Sequence, residues 1–153
     1  MPDFSNLLDQ TIDAPNATVI RMPPDSEYRG IIDDIKIATI TIGKGERKGQ
    51  EVPQLHIFWS ILDEAVKASL ERDKLIARQT LWLDLDTTGQ LSTGPDKNVD
   101  LGRLREVFDL NHAGFSLGQL KGTPPAAIKT KVRTNEDDPN RKYLEVVNVS
   151  KFK

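Results

Sequence analysis

The hydrophobic positions of this chain change period several times, and each change marks an element. From Tyr28 to Ile42, "YRGIIDDIKIATITI" is rich in isoleucine and threonine and predicts a long strand. Its alternation is broken. Ile31, Ile35 and Ile37 share one parity, whereas Ile32, Ile40 and Ile42 have the other. A bulge or a strong bend, with the strand changing its partner partway, reconciles the two halves. "GKGERKG", Gly43 to Gly49, follows as a flexible basic turn. "VPQLHIFWSIL" then resumes period two, with Leu55, Ile57, Trp59 and Ile61 on one face and His56 and Phe58 on the other.

The period lengthens in "LDEAVKASLERDKL", where Leu62, Ala65, Val66 and Leu70 fit one side of a helix. "RQTLWLDLDTTGQL" returns to alternation, with Leu81, Leu83 and Leu85 inward and Thr80, Trp82 and Asp84 outward. After a polar loop, "VDLGRLREVFDL" predicts a second helix, with Asp100 as its N-cap and Leu101, Leu104 and Phe108 as its apolar stripe. A connection punctuated by Gly and Pro leads to two last strands, around Ala126–Thr134 and Lys142–Phe152, joined through "EDDPN".

Residues 1–24 carry a short apolar cluster (Phe4, Leu7, Leu8) and then Pro23 and Pro24, which disfavour a regular element. They read as an N-terminal arm that packs through those three residues on a neighbouring subunit or on the domain of residues 25–153. That domain is mainly β: three strands, a helix, then two strands, with an extra helix between the second and third strands. The order fits a five-stranded OB-fold barrel, whose helix between strands 3 and 4 plugs the bottom. A generic α+β sandwich is the rival arrangement.

Composition narrows the function. The 153 residues contain no cysteine, which excludes disulfides and thiolate metal sites. No basic and then apolar leader opens the chain, and no apolar run approaches the roughly 18 residues of a membrane span. A cytoplasmic protein with no membrane contact is expected. The net charge of −2 argues against indiscriminate binding of polyanions. Its distribution says more: residues 111–153 hold eight Lys/Arg against four Asp/Glu, so that segment carries +4 and the remainder −6. Such asymmetry points to a basic face.

Catalytic signatures are missing. His56 and His112 have no neighbours at metal-ligand spacing, and "GKGERKG" lacks the Lys-Ser/Thr of a phosphate-binding loop. No G-x-S-x-G nucleophile elbow occurs. Of the carboxylate pairs, only Asp84 and Asp86 share a strand face, and they read as solvent-facing positions without a third ligand. The expectation is a protein that is not an enzyme and needs no cofactor or metal.

Binding signatures are present. In "AAIKTKVRT" the alternation puts Lys129, Lys131 and Arg133 on one side of a strand. Arg141 and Lys142 follow the next turn, and Lys44, Arg47 and Lys48 occupy the turn after the first strand. Phe58 is outward with His56, opposite a core-facing Trp59, while Trp82 lies opposite three leucines and Tyr143 sits on the last strand. Cations that follow phosphates and exposed rings that stack on bases are together the means of binding single strands.

From Tyr28 onward the chain resembles bacteriophage single-stranded-DNA-binding proteins of the small OB-fold type. The matching stretches are "YRGIIDDIKI", "LHIFWSILDEAVK", "RQTLWLDLDTTGQL", "DKNVDLGRLREVF" and "LGQLKGTPPAAIKTKVRT". In the last, an L-x-G turn (Leu120, Gly122) precedes a strand of alternating basic residues. The resemblance implies a protein that coats single-stranded DNA in phage replication or recombination, in the host cell cytoplasm, with little sequence preference. Its partners would be single-stranded DNA and further copies of itself. Recruitment of replisome proteins through a disordered acidic tail, common among replication proteins of this kind, is in doubt, because the sequence given closes on "VNVSKFK". An OB-like protein–protein interaction module and a virion structural component are the alternatives.

Overall fold

A computed structural model describes residues 2–152. Lys153, counted above among the basic residues, lies outside the described residues. Five strands, β1 (Glu27–Thr41), β2 (Glu51–Ile61), β3 (Ile76–Trp82), β4 (Ala126–Thr134) and β5 (Lys142–Ser150), form one sheet in the order β1-β2-β3-β5-β4. The sheet closes on itself, because the first residues of β1 pair with β4 and the rest pair with β2. Two α-helices, α1 (Glu64–Ser69) between β2 and β3 and α2 (Val99–Val107) between β3 and β4, and two short 3-10 helices, Ser5–Asp9 in the arm and Leu117–Leu120 before β4, complete the fold among the described residues. No helix among the described residues is long and apolar enough to cross a membrane.

The broken parity of β1 has the cause expected of it. The β1–β2 register shifts between Ile32 and Asp34, leaving Asp33 as the extra residue of a bulge. The change of partner falls at Gly30, opposite both Ile61 of β2 and Ala126 of β4. Glycine is needed there for space: a Cβ would stand 2.7 Å from Cδ1 of the fully buried Ile128.

Closure creates one interior, and on β2 the residues that face it are the predicted ones. Leu55, Ile57, Trp59 and Ile61 of β2, Ala77 and Leu81 of β3, Ile128 of β4 and Leu144 and Val146 of β5 are all buried. Helix α2 covers this interior with Leu101 and Leu104, while Phe108 just beyond it stacks on Trp59 at 6.3 Å between centroids. The indole N–H of Trp59 donates to Gln79 Oε1 at 2.9 Å, so its one polar atom is satisfied inside the core.

Three local expectations change. Strand β3 stops at Trp82, and although Leu83 is buried, Leu85 is 49% exposed. The reason is Asp84, whose carboxylate accepts the Asn98 N–H at 3.0 Å while the Asn98 side chain bonds both backbone groups of Asp84. That clamp turns the chain toward α2. Asn98, not Asp100, therefore stands at the N-cap, in the left-handed region at φ 51°. Asp86 is likewise not a strand position: in a turn its carboxylate accepts from the Thr88 hydroxyl and from the N–H groups of Gln90 and Thr88, which together hold its pKa below the usual carboxylate value.

Candidate nucleic-acid interface

Alternation that sends Leu55, Ile57 and Trp59 inward must send His56 and Phe58 outward, and the register decides what stands beside them. Phe58 lies opposite Asp34 of β1 and Arg78 of β3; His56 lies opposite Lys36 and Thr80. The Lys36 ammonium sits 5.7 Å from the Phe58 ring centre. Arg78 reaches the other way, its guanidinium 4.9 Å above the ring of Tyr143 on β5. Tyr143 in turn pairs with Arg133 of β4. A band of alternating cations and rings (Lys36, Phe58, Arg78, Tyr143, Arg133) thus crosses all five strands on the outer face.

Trp82 extends the band along β3, being 56% exposed and opposite Gln54. Of its expected acidic neighbours, Asp84 is engaged by Asn98 and Asp86 by its own turn beyond the end of the strand. His56 is half-buried, and its Nε2 lies 2.9 Å from Gln54 Oε1. Burial, and secondarily the charge of Arg78, lower its pKa from the ordinary histidine value.

The basic row of β4 divides. Lys129 and Lys131 are exposed, whereas Arg133 is half-buried with its Nε donating to Glu145 at 2.6 Å. Lys131 lies opposite the same Glu145, and Lys129 lies between Asn148 and Glu27. Arg133 therefore belongs to the aromatic band, while Lys129 stands at the far end of the strand beside an acid. In the turn before β5, Arg141 pairs with Asp138 at 3.4 Å, and Lys142 is exposed with no carboxylate within 4.0 Å among the described residues.

Lys44, Arg47 and Lys48 are exposed on the β1–β2 turn. Gly45 and Gly49, at φ 85° and 86°, give that turn the left-handed backbone it needs, and the Ile42 N–H to Gln50 carbonyl bond of 2.9 Å closes its base. Arg47 donates to Gln50 at 3.0 Å, and none of the three cations is ion-paired among the described residues.

Lys36 and Arg78 were absent from the sequence-derived candidates. Arg78 was accessible to sequence reasoning, since it shares the parity of Thr80 and Trp82. Lys36 was not, because the bulge at Asp33 resets the parity on which its side chain depends.

A cleft of about 610 Å³ beside α2 is lined by Ser92, Arg105, His112 and Phe115 among others. Arg105 is engaged there by the Leu110 and His112 carbonyls at 3.1 and 2.7 Å and by the Phe115 ring at 4.4 Å. Among the described residues no group of three or more His, Cys, Asp or Glu is placed to hold a metal ion. The chemistry on offer at the band is charge neutralisation beside flat apolar surface. No family model, curated protein or solved structure matches the chain.

Proposed function

We propose that the protein is an OB-fold barrel that binds single-stranded DNA, with little sequence preference and without catalysis. The OB reading is supported by the strand order β1-β2-β3-β5-β4, by β1 being shared between β2 and β4, and by α2 lying between β3 and β4 over the closed interior. The observation that carries the binding reading is the band itself. Lys36 beside Phe58 and Arg78 beside Tyr143 place a cation next to a ring twice on adjacent strands. A single strand presents phosphates and unstacked bases along one path, and such a band meets both. A duplex hides its bases, so only the electrostatic part of the contact is open to it. Coating of single-stranded DNA in phage replication or recombination is the role this binding would serve.

The test is a titration of fluorescent oligo-dT at two salt concentrations, with a duplex of equal length as the control. Binding should weaken with salt at a log–log slope of about −0.7 for each phosphate neutralised. Binding indifferent to salt, or equal for duplex and single strand, refutes the reading. An interaction module is the second reading, favoured by the exposed Phe4, Leu7, Leu8 and Ile12 of the arm. It predicts no oligo-dT binding at either salt concentration.

A further inference from the structure

The outer edge of β1 is bare. Glu27–Gly30 pair with β4, but from Ile31 to Thr41 the strand pairs only with β2. Its other edge presents N–H and C=O groups with no strand beside them among the described residues. Proteins blunt such edges with charge, proline or a cover. Here the stretch after Lys36, "IATITI", has neither charge nor proline, and Ile37 is 57% exposed.

A second segment of the chain is equally uncovered. All of residues 2–21 are exposed, including Ile12 at 75% and Ile20 at 69%. Residues 17–20, "ATVI", have strand-forming composition and no regular structure. Residues 2–20 carry Asp3, Asp9 and Asp13 with no Lys or Arg, a charge of −3, whereas residues 36–50 carry +3.

We propose that the arm of one copy adds as an antiparallel strand to the open β1 edge of a second copy, with its acidic half reaching the basic β1–β2 turn. Sequence spacing supports this register. With Ile20 opposite Ile37, Thr18 meets Thr39 and Asp13 falls level with Lys44, seven residues along in each chain. Asp9 is then carried toward Arg47 and Lys48 at the tip. Pro15, which cannot donate to a ladder, falls opposite Ile42, one residue beyond the end of β1.

The acceptor is a second copy, because the arm cannot reach its own edge in this register. Pro23 is buried against the domain, and Ile20 lies three residues before it, a reach of at most about 10 Å. Ile37 lies ten residues into β1, about 30 Å along the strand from Glu27, and remains beyond that reach with the bend at Asp33. Two copies exchanging arms satisfy both edges at once.

The test is sedimentation equilibrium of the full chain at low salt, using two charge reversals. One variant carries Asp9→Lys with Asp13→Lys; the other carries Lys44→Glu with Lys48→Glu. The wild type should self-associate, and each variant alone should show a dissociation constant raised about tenfold or more. An equimolar mixture should recover wild-type association, since both arm–turn pairs in the mixed dimer are again opposite in sign. Ile37→Lys, which blunts the edge, should weaken association to a similar extent. A monomeric wild type overturns the proposal, as does a mixture no tighter than either variant alone, or an Ile37→Lys protein that associates normally.

Discussion

Replacing Lys36 and Arg78 together by Gln tests the band where it is least entangled with acids. Neither side chain is ion-paired among the described residues, so their removal leaves no carboxylate stranded. If each neutralises one phosphate, the log–log salt slope should shrink in magnitude by about 1.4. Across the decade from 1 M to 0.1 M salt that is about 25-fold in affinity, or about 2 kcal/mol of binding lost at the lower concentration. The folded state loses two cation–π contacts, at 5.7 and 4.9 Å, each contributing roughly 0.5–1 kcal/mol at a surface site. Stability should therefore fall by about 1–2 kcal/mol, against a total of about 5–15 kcal/mol for a domain of this kind.

The assay is fluorescence anisotropy of labelled oligo-dT over a salt series, with urea unfolding of the same preparations. The two readouts separate the causes. A slope that stays at the wild-type value while affinity drops equally at all salt concentrations would show that the residues act by shaping the face, not by meeting phosphates. Unchanged affinity would remove the band from the interface.

Replacing Lys129 and Lys131 by Ser should cost less binding than the Lys36/Arg78 pair, because Glu27 and Glu145 already face them in register, and stability should change by under about 0.5 kcal/mol. Anisotropy and thermal melts check both, and a larger binding loss than the band variant would move the DNA path onto β4. Gly30→Ala should destabilise the fold by about 1–3 kcal/mol in urea unfolding, since its Cβ meets Ile128 at the seam of the closed sheet; a neutral result would mean that the seam is loosely packed. His56 has a folded pKa below its unfolded value near 6.5, so the unfolded chain takes up the proton first as pH falls. Stability should thus decline from pH 7 toward about 5.5, and His56→Gln should flatten that part of the profile; an unchanged slope in the variant would assign the effect elsewhere.

The parts of this molecule legible in the sequence were those fixed by period alone. Isoleucines of both parities in β1 announced its bulge, and Leu55, Ile57 and Ile61 settled that Trp59 turns inward and Phe58 outward. What escaped depends on register between strands, which period does not encode. The ion pair of Arg133 with Glu145 is the clearest case. Near Lys129 each residue of β4 faces a partner in β5 one place later than it does beyond Thr130, because Val147 is extra in β5. Continued without that shift, the register would set Lys131 opposite Val146 and Arg133 opposite Leu144. The single extra residue brings Glu145 to the cations; the apolar positions of "YLEVVNVS" do change parity there, from Leu144 and Val146 to Val147 and Val149, but that change does not say which residues of β4 then face Glu145.

The same distinction bears on the net charge of −2, which argued against a polyanion partner. A total charge weighs every residue alike, whereas the field at a surface depends on which charges are already engaged. Many of the acids near the band have structural partners. Asp33 and Asp34 pair with Lys74 and Lys121 at 2.9 and 3.5 Å, and the backbone N–H of Ile35 also bonds Asp34. Asp63 caps α1 by accepting from Val66, Asp84 holds Asn98, and Asp86 closes a turn. Short carboxylates suit these tasks because they accept from nearby backbone N–H groups, which ammonium and guanidinium groups cannot do. The long cations, carried outward by strands, remain largely free: Lys36, Arg78, Lys129 and Lys131 have no carboxylate within 4.0 Å among the described residues. A weakly acidic chain can therefore present a locally cationic face, and among the described residues Glu145 is the one carboxylate in direct contact with a cation of the band.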